Sequence, residues 1–134
     1  MDRVILDAKL ESLRRCVARV QARCPSNVDA LLNDLDAQDV VTLNLTRAVQ
    51  LCVDLAMHKV AESNQATPQT MGEAFTALER LQLIDAPLCL RMRNAVGFRN
   101  LAVHEYSDIN WAIVFKIATT HLDDFRLFAR ALAP

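Results

Sequence analysis

Residues 39–61 read DVVTLNLTRAVQLCVDLAMHKVA. Val41, Leu45, Ala48, Cys52 and Leu55 follow one another at steps of four and three, which lines them up as one seam of an α-helix running from about Asp39 to Ala61. Val40, Val49, Val53 and Ala56 widen that seam into a broad apolar arc. A helix on a surface needs one apolar stripe, whereas an arc this wide needs neighbours on several sides. The stretch reads as the central helix of a bundle, and the rest of the chain must surround it.

Upstream, Leu6, Leu10, Leu13, Val17, Val20 and Cys24 form a second helical stripe that Pro25 ends. Arg15, Arg19 and Arg23 stand four apart on another face, the pattern of a solvated row. Ser26 is positioned to cap a short helix through Ala30 and Leu31, and Asn33, Asp34 and Asp36 supply turn chemistry before the central helix. Downstream, the polar run from Glu62 to Pro68 is a loop, and Thr70 precedes a helix with Phe75, Leu78 and Leu81. Pro87 suits the first turn of a further helix whose apolar positions are Leu88, Leu90, Met92, Ala95, Val96 and Phe98. Ser107 or Asp108 would cap one final helix, with Val114, Ala118, Leu122, Phe125, Ala129 and Leu132 as its stripe. No strand pair, hairpin or repeat can be read. The expected architecture is all-α, an up-and-down bundle of about four main helices plus short ones, in a single domain over residues 1–134.

Composition narrows the function classes. A chain of 134 residues with 52% hydrophobic and 23% charged residues folds rather than staying disordered, and a formal net charge of -1 gives no whole-molecule attraction to nucleic acid or acidic lipid. Any such affinity must be local. The four cysteines form no C-x-x-C pair, which argues for reduced thiols over a zinc site or a disulfide framework. Charges at Asp2, Arg3, Asp7, Lys9 and Glu11 interrupt the N-terminal residues, and no apolar run has the length of a membrane span, so a cytoplasmic location without a membrane is expected. P-loop, G-x-G-x-x-G, G-x-S-x-G and H-E-x-x-H patterns are all absent.

The histidines differ in their company. Asp54, His58 and Glu62 share a helical face, but di-iron bundles place Glu-x-x-His motifs on two helices and neither occurs, so an exposed polar stripe is the reading. His121 has no partner legible in the sequence. His104 follows Arg91, Arg93 and Arg99 in a stretch from Leu88 to Val103 that contains no carboxylate. Guanidinium forks match phosphate oxygens, and an imidazole with an ordinary pKa near ~6.5 can give or take a proton at neutrality. Together they suit phosphoryl chemistry, against the plainer account of a basic surface helix that ends in a histidine.

The string Gly97-Phe98-Arg99-Asn100-Leu101-Ala102-Val103-His104-Glu105-Tyr106 adds to this. It resembles the R-x4-6-H motif of HEPN domains, with the polar residue that follows the arginine present as Asn100, and in its R-x4-H-x-Y form it resembles the HepT toxins of HepT/MNT (type VII) toxin–antitoxin pairs. The resemblance also covers the central helix, the Phe75 helix and the closing Leu122-Asp123-Asp124-Phe125 stretch.

The resemblance implies a homodimeric HEPN-type bundle acting as a metal-independent endoribonuclease that needs no cofactor, with the cleft where two protomers meet. It assigns catalysis to Arg99, Asn100 and His104. Tyr106 becomes the acceptor of AMP from a cognate MNT-type nucleotidyltransferase antitoxin. The other reading is a catalytically silent HEPN-like module that binds a nucleotide or docks a nucleotidyltransferase. Residues five apart on a helix differ by about 140° of rotation, so Arg99 and His104 converge only if the helix loosens before His104 or a two-fold axis brings a second copy across. Gly97 lies within this helix at a cost of about 1 kcal/mol relative to Ala. Close backbone approach at a helix crossing is the preferred account, and approach of a partner subunit or an RNA phosphate is the alternative.

Overall fold

The computed structural model describes residues 2–134. Helix α1 spans Arg3–Arg23, α2 Val28–Leu32, α3 Leu35–Ala61, α4 Met71–Arg80, α5 Ala86–His104, α6 Trp111–Thr119 and α7 Leu122–Leu132, with a single 3-10 turn at Tyr106–Asp108 between α5 and α6. Among the described residues no strand occurs, so the all-α expectation holds.

Helix α3 is the centre that its sequence pattern demands. Val41, Leu45, Ala48, Cys52, Leu55 and Ala56 are all fully buried, and α1, α4, α5, α6 and α7 all pack against it. One continuous apolar cluster runs from Leu6 in α1 to Leu132 in α7, closed by Phe75 of α4 set edge-on to Phe128 of α7 at 5.5 Å. Burial of this kind is the main favourable term in folding, at roughly 25 cal/mol per Å² of apolar surface. By length and hydropathy α3 could also cross a membrane, but over half of its most apolar window faces the interior of the bundle. The four cysteines are free thiols, and burial raises the pKa of each.

Several boundaries differ from the sequence reading. The short helix is capped by Asn27, whose side chain accepts from the Ala30 amide at 2.8 Å, and not by Ser26. Helix α3 starts four residues earlier than expected, because Asp34 caps it by accepting from Ala37. The expected final helix is two. Ser107 and Asp108 lie in the 3-10 turn, Asn110 caps α6, and the chain breaks at Thr120 and His121 before α7 resumes. Both helices bury apolar residues on the same core, so the stripe continues across the break and its periodicity conceals it.

Candidate active site

Helix α5 carries the Arg99, Asn100 and His104 motif. Asp85 caps it by accepting from Leu88 at 2.9 Å, Pro87 occupies the first turn, and the helix continues unbroken to His104, where the Glu105 amide still bonds to the Leu101 carbonyl. Leu88, Cys89, Met92, Val96 and Ala102 hold one face in the core, whereas Leu90, counted with the apolar positions in the sequence, turns outward and is exposed. That leaves Arg99 half-buried and Asn100 and His104 exposed.

These three side chains border one open groove of about 560 Å³ between α5 and the start of α4. The helix does not loosen before His104, contrary to one condition set by the spacing. Asn100 stands four residues from His104 and so shares its face. The Arg99 guanidinium donates to Asn100 Oδ1 at 3.1 Å, and all three residues line the groove.

The opposite wall is the first turn of α4. Thr70 caps this helix by accepting from Glu73, and the Glu73 carboxylate in turn accepts from the Gln69 amide. Thr70, Met71 and Gly72 line the groove, so the positive end of the α4 dipole borders the same space as the arginines. Arg93 also lines it, braced on α4 by donation to Thr76 Oγ1. Its guanidinium lies beside Gly72, where an added β-carbon would meet it at 3.4 Å, an ordinary contact distance. This contribution of α4 was not legible in the motif. Its only trace was Thr70 as a helix-start residue.

The three arginines of α5 do not act together at the groove. Arg91 donates to Asp124 of α7 at 2.8 Å, and His121 Nδ1 lies 3.4 Å from the other oxygen of the same carboxylate. Arg91 is thus neutralised on a different face from the groove, and His121 does have a partner. Gly97 is corrected as well: a β-carbon there meets nothing within 4 Å, so no helix crossing explains it. The Asp54, His58 and Glu62 face gathers no shared site. Asp54 is engaged by Lys9 and Gln50, and no group of three potential ligands forms among the described residues.

Tyr106 opens the 3-10 turn just beyond α5, outside the groove and towards α3. Its ring stands edge-on to Trp111 at 6.0 Å, and its hydroxyl donates to Asp39 Oδ1 at 2.7 Å. The residue remains 43% exposed. Partial burial and the bond to the Asp39 carboxylate push the phenol up to about 12, with Thr42 acting in the opposite direction.

The family description "Ribonuclease HepT-like" matches residues 13–132, all but the ends of the chain. The chain belongs to the HepT-like ribonuclease family. The mRNA nuclease HepT of Shewanella oneidensis is 34% identical to this HepT-like chain over 128 residues, covering 96% of it and 95% of the relative. The tRNA nuclease HepT of Aphanizomenon flos-aquae is 26% identical over 129 residues, covering 96% and 88%. Among solved structures, a tri-AMPylated Shewanella oneidensis HEPN toxin in complex with MNT antitoxin matches with a TM-score of 0.89 at 34% identity, over 98% of this chain and 97% of that one. The HEPN-type bundle and the place in the HepT/MNT toxin class that the motif implied are both borne out.

Proposed function

We propose that this HepT-like protein is a single-domain, cytoplasmic endoribonuclease toxin that cuts RNA without a metal ion, works as a homodimer, and is silenced by AMPylation of Tyr106 by its MNT-type nucleotidyltransferase antitoxin. The observation that carries this is the gathering of Arg99, Asn100 and His104 around one groove closed by the start of α4. Arg93, Arg99 and the α4 dipole favour a phosphate there, and His104 is the group able to move a proton.

In the cleavage step the ribose 2′-hydroxyl attacks the adjacent phosphorus, the 5′-oxygen departs, and a 2′,3′-cyclic phosphate remains. Arg99 stabilises the extra negative charge on the pentacovalent phosphorus, and its bond to Asn100 fixes it in position. The step needs a base for the nucleophile and an acid for the leaving oxygen. Each groove offers one histidine, so a two-fold pair supplies both. Gly97 supports such pairing: it lies on an open face of α5, and the helix propensity it gives up is accounted for if another backbone approaches there. DNA, which has no 2′-hydroxyl, resists.

Modification at Tyr106 fits the same geometry. Its exposed phenol stands two residues beyond His104, and each AMP adds about one negative charge and considerable bulk beside a site that must receive a polyanion. The relatives are named for mRNA and for tRNA, so the scaffold serves more than one RNA class.

An endonuclease assay in excess EDTA tests this reading. Wild type cleaves RNA, and His104→Ala reduces the rate by about 10²- to 10⁴-fold with an unchanged melting temperature, since the side chain is exposed. Undiminished cleavage by the variant would remove the mechanism.

A further inference from the structure

A phenol makes a poor nucleophile while it holds its proton, and Tyr106 holds its proton firmly at neutral pH. Nucleotidyl transfer to its oxygen therefore needs a group that removes the proton as the bond to phosphorus forms. The Tyr106 hydroxyl already donates to the Asp39 carboxylate at 2.7 Å, although the two residues are 67 positions apart. Asp39 sits exposed near the start of α3, and the Trp111 ring stands edge-on to the phenol ring. A second group waits nearby. The hydroxyl of Thr42, one turn further along α3, is buried without a hydrogen-bond partner, yet it lies close enough to the phenol to favour its ionised form. A buried hydroxyl left unpaired costs roughly 1–3 kcal/mol, so its retention needs a reason.

We propose that Asp39 and Thr42 form an activating pair carried by the toxin itself, with Asp39 the general base for the acceptor hydroxyl of Tyr106 and Thr42 the donor that stabilises the oxygen as it develops charge. This rests on Tyr106 being the AMP acceptor. In the transfer, the Tyr106 oxygen bonds to the α-phosphorus of ATP held by the antitoxin, the bond from that phosphorus to the bridging oxygen breaks, and pyrophosphate leaves. The phenolic proton passes to the Asp39 carboxylate and from there to solvent. The acceptor thus brings its own base, and the antitoxin need supply only the nucleotide and its activation. After transfer the phenol oxygen has no hydrogen to donate, so the bond to Asp39 is lost and the new phosphate faces a carboxylate at close range.

The test uses the full-length chain with its cognate nucleotidyltransferase antitoxin and ATP, following intact mass over time and mapping the labelled peptide. Asp39→Asn keeps an acceptor oxygen but no basicity, and the first AMP should attach about 10²- to 10⁴-fold more slowly. Thr42→Val removes the unpaired hydroxyl, so it should slow the first AMP about tenfold or more without lowering the melting temperature. Because Tyr106 is the only tyrosine, biosynthetic replacement with fluorinated tyrosine alters this position alone. An acidified phenol should recover much of the rate lost in Asp39→Asn, which a merely structural defect would not allow. Wild-type transfer rates in Asp39→Asn, with the label mapped to Tyr106, would overturn the pair while leaving the acceptor intact. A label mapped to another residue would overturn both.

Discussion

Tyr106 shows how much a single contact sets. Its folded-state pKa of about 12 stands above the ordinary value of 10.0, with partial burial the first cause and the Asp39 hydrogen bond the next. A raised value means that the folded state favours the neutral phenol. The resulting stability is complete below pH 10 and is lost as pH rises from there towards 12. The effect is screened, because the side chain is well exposed. Denaturant titrations across that window should show wild type losing stability relative to Tyr106→Phe, which has no proton to release. Parallel curves for the two proteins would contradict the bond to Asp39. That bond could not be read in the sequence, where Asp39 marks only the edge of an apolar pattern. No local rule joins it to a tyrosine so distant in the chain.

At the scale of the element, α5 decides more than its motif. Its caps and its termination at His104 place Asn100 and His104 on one exposed face, while Gly97 leaves a gap on the solvent side. Gly97→Ala meets no steric obstacle and should raise the protomer's stability by about 1 kcal/mol. If another backbone comes close at this point, the same change should weaken the dimer and slow cleavage. Thermal melts and sedimentation equilibrium read the two effects separately. A gain in stability with unchanged association would place the dimer contact elsewhere. Elements as such were legible, since α1, α3 and α4 follow from apolar spacing and from Pro25 and Thr70. Caps were less so. Ser26 and Asn27 are both capable capping residues, and the choice depends on backbone angles that composition does not encode. The break between α6 and α7 was hidden for a different reason: the Thr120 and His121 amides both turn back to the Lys116 carbonyl without interrupting the buried stripe.

For the whole molecule, the bundle exists to hold two short pieces of chain at the end of α5. Helix α3 anchors both, packing against α4 and α5 and carrying Asp39 to Tyr106. The groove is built from α4 and α5, whose pairing follows from apolar patterning, yet the place of Arg93 in it emerges only once the helices meet. The paired charges of Arg91 and Asp124 were likewise invisible until α7 lay beside α5. On the function proposed above, this groove breaks RNA through the substrate's own 2′-hydroxyl, with His104 moving the proton. The most direct measurement is mass analysis of products from matched RNA substrates, one all-ribose and one with a single 2′-deoxy sugar on the 5′ side of the cut, both in excess EDTA. The ribose substrate should yield a 2′,3′-cyclic phosphate, and the substituted bond should stay intact. Cleavage of the deoxy linkage, or a product bearing a 5′-phosphate, would contradict it.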